Sequence, residues 1–302
     1  MRFYLTLSFL LVATISAFSQ QDPLYNLYLF NQAMINPAYN GTYNMTSVTA
    51  ITRAQWTGIE GAPVTNMINA STSFRNERLG AGMLVVNDKL GVNSNFEAQA
   101  AFSYKLKFTH SQLAFGLQGG VVNYKYNYDA LHLETTDPVL TQNHMPNFTK
   151  PTIGAGVFFR DEKYYVGLSM PRMLNVDVAD GVVTSTRYKQ HIYLSGGYVI
   201  SKFESVKIKP SALIRMVAGG PTTVDANVSV LFLETLWAGV SVRNFQAFGL
   251  NAQFTIKNKF RFGYAYELPT NSLYGTAKGT HELMVSLDLE LGDGQFALRR
   301  YF

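Results

Sequence analysis

Along this 302-residue chain, apolar and polar side chains repeatedly take alternate positions. From Phe96 to Phe108 the even positions are Phe96, Ala98, Ala100, Phe102, Tyr104, Leu106 and Phe108. The odd positions hold Glu97, Gln99, Ala101, Ser103, Lys105 and Lys107. Successive side chains of a strand point to opposite faces, so this run predicts one long strand with a greasy face and a polar face. The same alternation marks Tyr188–Ile200, Val206–Met216, Phe260–Tyr266 and His281–Leu291. About fourteen segments follow it: 46–57, 64–75, 78–87, 95–108, 112–124, 152–160, 163–170, 187–200, 205–217, 222–233, 236–243, 246–256, 259–267 and 280–291.

The connections alternate as well. Short polar turns such as Thr109-His110-Ser111, Asp161-Glu162-Lys163 and Lys257-Asn258-Lys259 follow the even-numbered segments. Most odd-numbered connections are longer, notably 126–151, 171–186 and 268–279, although 219–221 and 244–245 are short. An even number of long alternating strands, with short turns at one end and longer loops at the other, predicts a transmembrane antiparallel β-barrel with both termini in the periplasm. On the first strand, Val48, Ala50, Thr52, Ala54 and Trp56 then face lipid, with Trp56 as an interface anchor. Arg53 and Gln55 face the lumen, with Glu97 and Glu282 as candidate partners. Arg215, Arg261, Asp288 and Glu290 complete the candidate lumen charges, expected to pair and close the barrel electrostatically.

Composition agrees with that picture. Apolar residues make up 47% of the chain and aromatics 14%, yet no apolar run after residue 15 is long enough for a membrane helix. A soluble β-sandwich also alternates, but with shorter strands and no full charges on a buried face. The net charge of +5 comes from scattered residues, which excludes an evident nucleic-acid surface. Met1-Arg2, an apolar stretch to about Ile15, and small residues at Ala17 and Ser19 predict a secretory signal peptide over 1–19. With no cysteine, disulfides and lipid attachment through a thioether are both excluded. The expected division is leader 1–19, N-terminal aromatic segment 20–44, barrel 45–291 and tail 292–302, in the outer membrane.

Residues 20–44 are too rich in leucine, tyrosine and phenylalanine for a frayed tail. Leu24, Leu27, Tyr28 and Met34 suggest a short helix ending before Asn36-Pro37. Such a segment is expected to dock, either in the barrel mouth or on a periplasmic partner. The candidate docking residues are Leu27, Tyr28, Phe30, Asn36, Pro37 and Tyr39.

Chemistry is sparse. His110, His132, His144, His191 and His281 fall in no metal-binding frame, and no GxSxG elbow occurs. The Gly-rich LGAGMLVVNDKLG, 79–91, lacks the GK[ST] ending of a phosphate loop. No catalytic, cofactor-binding or metal residue is assigned, and the chain is not expected to be an enzyme.

NQAMINPAYNGTYN, then TRAQWTGIEGAPVT and LGAGMLVVNDKLG, and later GYAYELPTNSLYGTAKGTHELMVSLDLELG with a terminal RRYF, resemble the PorP/SprF family of type IX secretion outer-membrane proteins of Bacteroidetes-type bacteria. The resemblance covers essentially the whole mature chain. It implies a non-enzymatic role in secretion or surface anchoring of a cargo protein bearing a C-terminal signal, gliding adhesins among them. The implied partners are that cargo at the outer loops, periplasmic ring or peptidoglycan-binding components, and outer-membrane lipid. Two readings stay open: a docking platform, or a porin-like barrel for solute transport.

Overall fold

The computed structural model describes residues 24–74, 78–126, 147–180, 183–188, 190–202, 205–218, 220–290 and 301–302. The expected leader 1–19, the part of the longest loop that holds His132 and His144, and residues 292–300 of the expected tail lie outside them.

Among the described residues sixteen strands form: β1 Met45–Ala54, β2 Val64–Phe74, β3 Leu79–Leu90, β4 Asn93–Lys107, β5 Ser111–Tyr126, β6 Phe148–Asp161, β7 Tyr164–Met170, β8 Val176–Asp180, β9 Val183–Tyr188, β10 His191–Tyr198, β11 Val206–Val217, β12 Thr223–Phe232, β13 Leu236–Arg243, β14 Ala247–Ile256, β15 Phe260–Pro269 and β16 Thr280–Glu290. All but β8 and β9 join into a closed barrel of fourteen strands. Neighbours are antiparallel throughout, and the ring closes where β1 meets β16, from Met45 opposite Glu290 to Ala54 opposite His281. Closure removes every unpaired edge, which a sheet in lipid cannot leave exposed.

The fourteen barrel strands are those the alternation predicts. Two details differ. Residues 171–186 are expected as a loop followed by a strand from 187, but β8 and β9 pair in a separate sheet and Tyr188 belongs to β9. The signal was present: Asp180-Gly181 between β-branched runs favours a hairpin turn. Also, β3 and β4 extend three and two residues further than expected and meet across Gly91-Val92, with Leu90 opposite Asn93. That makes a third short connection at the end bearing the longer loops.

Three turns among the described residues carry two consecutive non-glycine residues at positive φ: Leu233-Glu234 (48° and 56°), Asn244-Phe245 (48° and 55°) and Lys257-Asn258 (51° and 55°). Two consecutive left-handed residues form the tight hairpin turn whose twist matches that of the flanking strands.

The faces are inverted relative to a soluble protein. Phe102, Leu117 and Leu283 are 65%, 68% and 55% exposed on the outside, whereas Arg53, Lys105, Lys209 and Glu282 are fully buried inside. What buries them is the N-terminal segment. Its three short 3-10 turns, Asn26–Phe30, Gln32–Met34 and Pro37–Tyr39, touch β4, β5 and β6 on one arc and β14, β15 and β16 on another. Contact with distant arcs of a closed ring, through lumen-facing side chains, places the segment within the lumen.

Candidate functional site

The segment runs the length of the barrel. Leu24 and Tyr25 lie beside Asp88, Asn95, Arg172 and His191 at the end with the longer loops. Tyr43 reaches the short-turn end, where the chain enters β1. The expectation that both termini share that end follows from where β1 and β16 open. The described residues before β1 turn back through the lumen, so Leu24, the first of them, lies at the opposite end. No α-helix forms there. Asn31 breaks the course with φ −148°, and Asn36 is extended (φ −138°, ψ 112°), as a residue before proline favours.

Charged side chains clamp the first half. The Glu282 carboxylate accepts the backbone N–H groups of Asn26 and Leu27, both at 3.0 Å, and Arg53 Nε at 3.0 Å. Asn26 donates its side-chain amide to Glu267 at 3.0 Å and accepts from Arg243 at 3.1 Å. Arg243 also pairs with Asp225 at 3.0 Å and with Glu267 at 2.8 Å. Lys209 Nζ donates to the Leu29 carbonyl at 3.4 Å and Arg261 to that of Phe30 at 3.2 Å. Polar backbone groups that form no strand ladder must find partners when buried, and the wall's ions supply them. Between these contacts, Leu27, Tyr28, Leu29 and Phe30 pack against Ile51, Met67, Leu213, Leu231, Trp237 and Met284, apolar residues on the otherwise polar face.

The second half is seated on backbone. A Cβ on Gly82 would lie 2.0 Å from Asn40 Oδ1, and one on Gly116 would lie 2.2 Å from the Ala38 nitrogen. Only a bare Cα lets the segment approach so closely. Asn36 donates to the Val157 carbonyl at 3.0 Å and caps Ala38 N–H at 2.9 Å. Ser169 and Ser103 donate to the carbonyls of Ile35 and Asn40, each at 2.6 Å. Lys105 donates to the Gly41 carbonyl, and Gly41 N–H to Ser71 at 2.9 Å.

Leu27, Tyr28, Phe30, Asn36, Pro37 and Tyr39 are therefore all buried against the protein's own wall. Of the two expected ways of docking, inside the barrel or on a partner, these residues are found in the first, covered by the lumen. Of the expected charges, Arg53 pairs with Glu282, whereas Glu97 pairs with Arg172 instead of Arg53. Arg261 pairs with Asp288 at 2.8 Å, and Arg215 donates to Thr223 at 3.2 Å. The Glu290 side chain lies outside the described residues. Trp56 leaves the strand row expected for it. Strand alternation stops at Ala54 and Trp56 turns at φ 49°, so its place is in the β1–β2 turn rather than on the lipid-facing row. Sequence reasoning missed Asp225, Arg243, Trp237 and the Tyr301–Phe302 pair as lumen residues.

At the end with the longer loops, Leu24, Tyr25, Asp88, Glu97, Arg172 and His191 line a cavity of about 70 Å³. It has room for a few waters and no more. Among the described residues no three potential metal ligands cluster.

No curated protein matches the chain. Among solved structures, the chain is similar to the outer-membrane protein Omp33 of Acinetobacter baumannii (9% identity, 83% of this chain and 100% of that one, TM-score 0.46). It is also similar to a TodX monoaromatic hydrocarbon channel mutant (10%, 88% and 95%, TM-score 0.47) and to the KdgM porin (9%, 82% and 99%, TM-score 0.40). The model of a family of type IX secretion system membrane proteins matches residues 17–287, nearly the whole barrel together with the segment inside it, and the chain belongs to that family, PorP/SprF.

Proposed function

We propose that this outer-membrane barrel serves the type IX secretion machinery as a docking platform for a secreted cargo or adhesin bearing a C-terminal signal, and not as a solute pore. The observation that carries this reading is the filled lumen. Residues 24–43 are buried along its length, and most of the wall's ions are engaged with one another or with that segment. A pore needs a continuous wet path, and here the polar lining is turned to holding protein. Recognition then falls to the long-loop end, where Phe245 is 91% and Tyr274 67% exposed. Aromatic side chains at such sites suit protein contacts.

The purified protein in planar bilayers is expected to be electrically silent, and a large secreted protein is expected to co-purify with it until residues 127–146 or 268–279 are trimmed. Steady large currents from the untreated chain would favour the solute-transport reading. Retention of the cargo after both loops are trimmed would remove the platform.

A further inference from the structure

At the short-turn end, opposite the cavity, the mouth holds two residues from beyond β16. The Phe302 ring is 3% exposed and lies 5.0 Å from that of Tyr165 on β7. Its main-chain oxygen accepts hydrogen bonds from Tyr39 at 2.6 Å and Tyr43 at 3.2 Å. Tyr301 gives its carbonyl to Lys209 at 2.8 Å, and its hydroxyl accepts from Lys207 at 2.7 Å and donates to Glu234 at 3.4 Å.

We propose that this mouth is a peptide-binding site for an aromatic pair, occupied in cis by Tyr301–Phe302, and that its occupancy locks the N-terminal segment in the lumen. The seat has two parts. One is barrel: Tyr165, Lys207, Lys209 and Glu234. The other is the segment itself, through the Tyr39 and Tyr43 hydroxyls. The pair therefore bridges segment and wall. Lys209 is the hinge of the arrangement, because its ammonium donates both to Tyr301 and to the Leu29 carbonyl while lying 4.5 Å from the centre of the Trp237 ring. A cation held between two carbonyls and an aromatic face ties the segment and the pair to a single point on β11.

The ligand class follows from the seat. An aromatic ring fills the space beside Tyr165, a phenol spans Lys207 and Glu234, and two hydroxyl donors and one ammonium fix the pair's main-chain oxygens. The occupant is the chain's own 301–302.

The test uses the full-length protein in liposomes, with chymotrypsin supplied at the short-turn face. Tyr301→Ala with Phe302→Ala removes both rings, and burial of one phenylalanine is enough for at least about a tenfold change in an opening equilibrium. Cleavage within residues 24–43 should accelerate by that factor while strand content stays unchanged. The peptide LRRYF, copied from 298–302, should restore protection when added to this variant, and LRRAA should not. Unchanged cleavage overturns the proposal. So does acceleration that LRRYF cannot reverse, because a site must accept its ligand in trans. Should the alanine variant not insert, Tyr39→Phe with Tyr43→Phe removes only the two hydroxyls that hold Phe302. About tenfold faster cleavage is expected from those two lost hydrogen bonds, and wild-type protection would again overturn the lock. No cargo enters this assay, so its failure leaves the platform reading untouched.

Discussion

The two halves of the lumenal segment are held by different physics. Asn26–Phe30 is gripped by long ionic side chains reaching from β11, β13, β15 and β16. Residues 36–41 lie directly on the backbone of β3 and β5, with glycines where side chains would stand. The first arrangement can be rebuilt, since side chains of that length have alternative rotamers. The second tolerates no extra atom. A barrel can thus fix a chain inside itself either by solvating its polar backbone with ions or by removing its own side chains, and this one does each at a different depth.

Several substitutions break or sharpen that contrast. The largest effect belongs to Glu282→Ala. It removes the acceptor of two segment N–H groups and strands the buried Arg53 guanidinium, a change expected to cost about 3–5 kcal/mol. Hydrogen exchange should then rise at residues 24–30 and stay slow at 36–43; equal rise at both would erase the distinction between clamp and seat. Leu287→Arg on the lipid face should cost about 2–4 kcal/mol by acting on the barrel as a whole, so urea unfolding in vesicles should shift while the two halves exchange in step. Next come Gly82→Ala and Gly116→Ala, each expected to cost about 1–3 kcal/mol through overpacking. There the order of release reverses, with 36–43 opening first in the same exchange experiment. The smallest effect is predicted at Phe245→Gly, which relieves a left-handed phenylalanine at an outer turn. It should leave the unfolding free energy unchanged or raise it by up to about 1 kcal/mol, and clear destabilisation would mean that the exposed ring anchors the turn.

The barrel wall was legible because lipid and lumen impose opposite demands on alternate residues, and β4 or β16 displays that demand without interruption. Ion pairing was less legible. Glu97 and Glu282 are equally plausible partners for Arg53 from spacing alone, and only closure of β1 on β16 brings Arg53 opposite Glu282. The depth of the segment left a trace that simple alternation hides. Ile51, Met67, Leu213, Leu231, Trp237 and Met284 break the polar face, and Gly82 and Gly116 leave it bare. A water-filled lumen has no use for either kind of exception. Counted along the predicted inner face, they outline the path of a chain lying within. The Tyr301–Phe302 seat left no such trace, because its donors come from Tyr39, Tyr43, Lys207 and Lys209, whose convergence depends on the folded course.

Closure of β1 against β16 also suits one order of assembly. The piece to be enclosed precedes every strand in the chain, while the seam that encloses it waits for the last one. Laid early into a half-open trough of β2 to β7, with its glycine floor already formed, residues 36–41 have their seat before the far wall exists. The remaining strands can then be added around them, bringing Lys209, Arg261 and Glu282 to the opposite side as they arrive. On this order nothing has to be threaded through a finished ring, and the seam shuts over cargo of the barrel's own making.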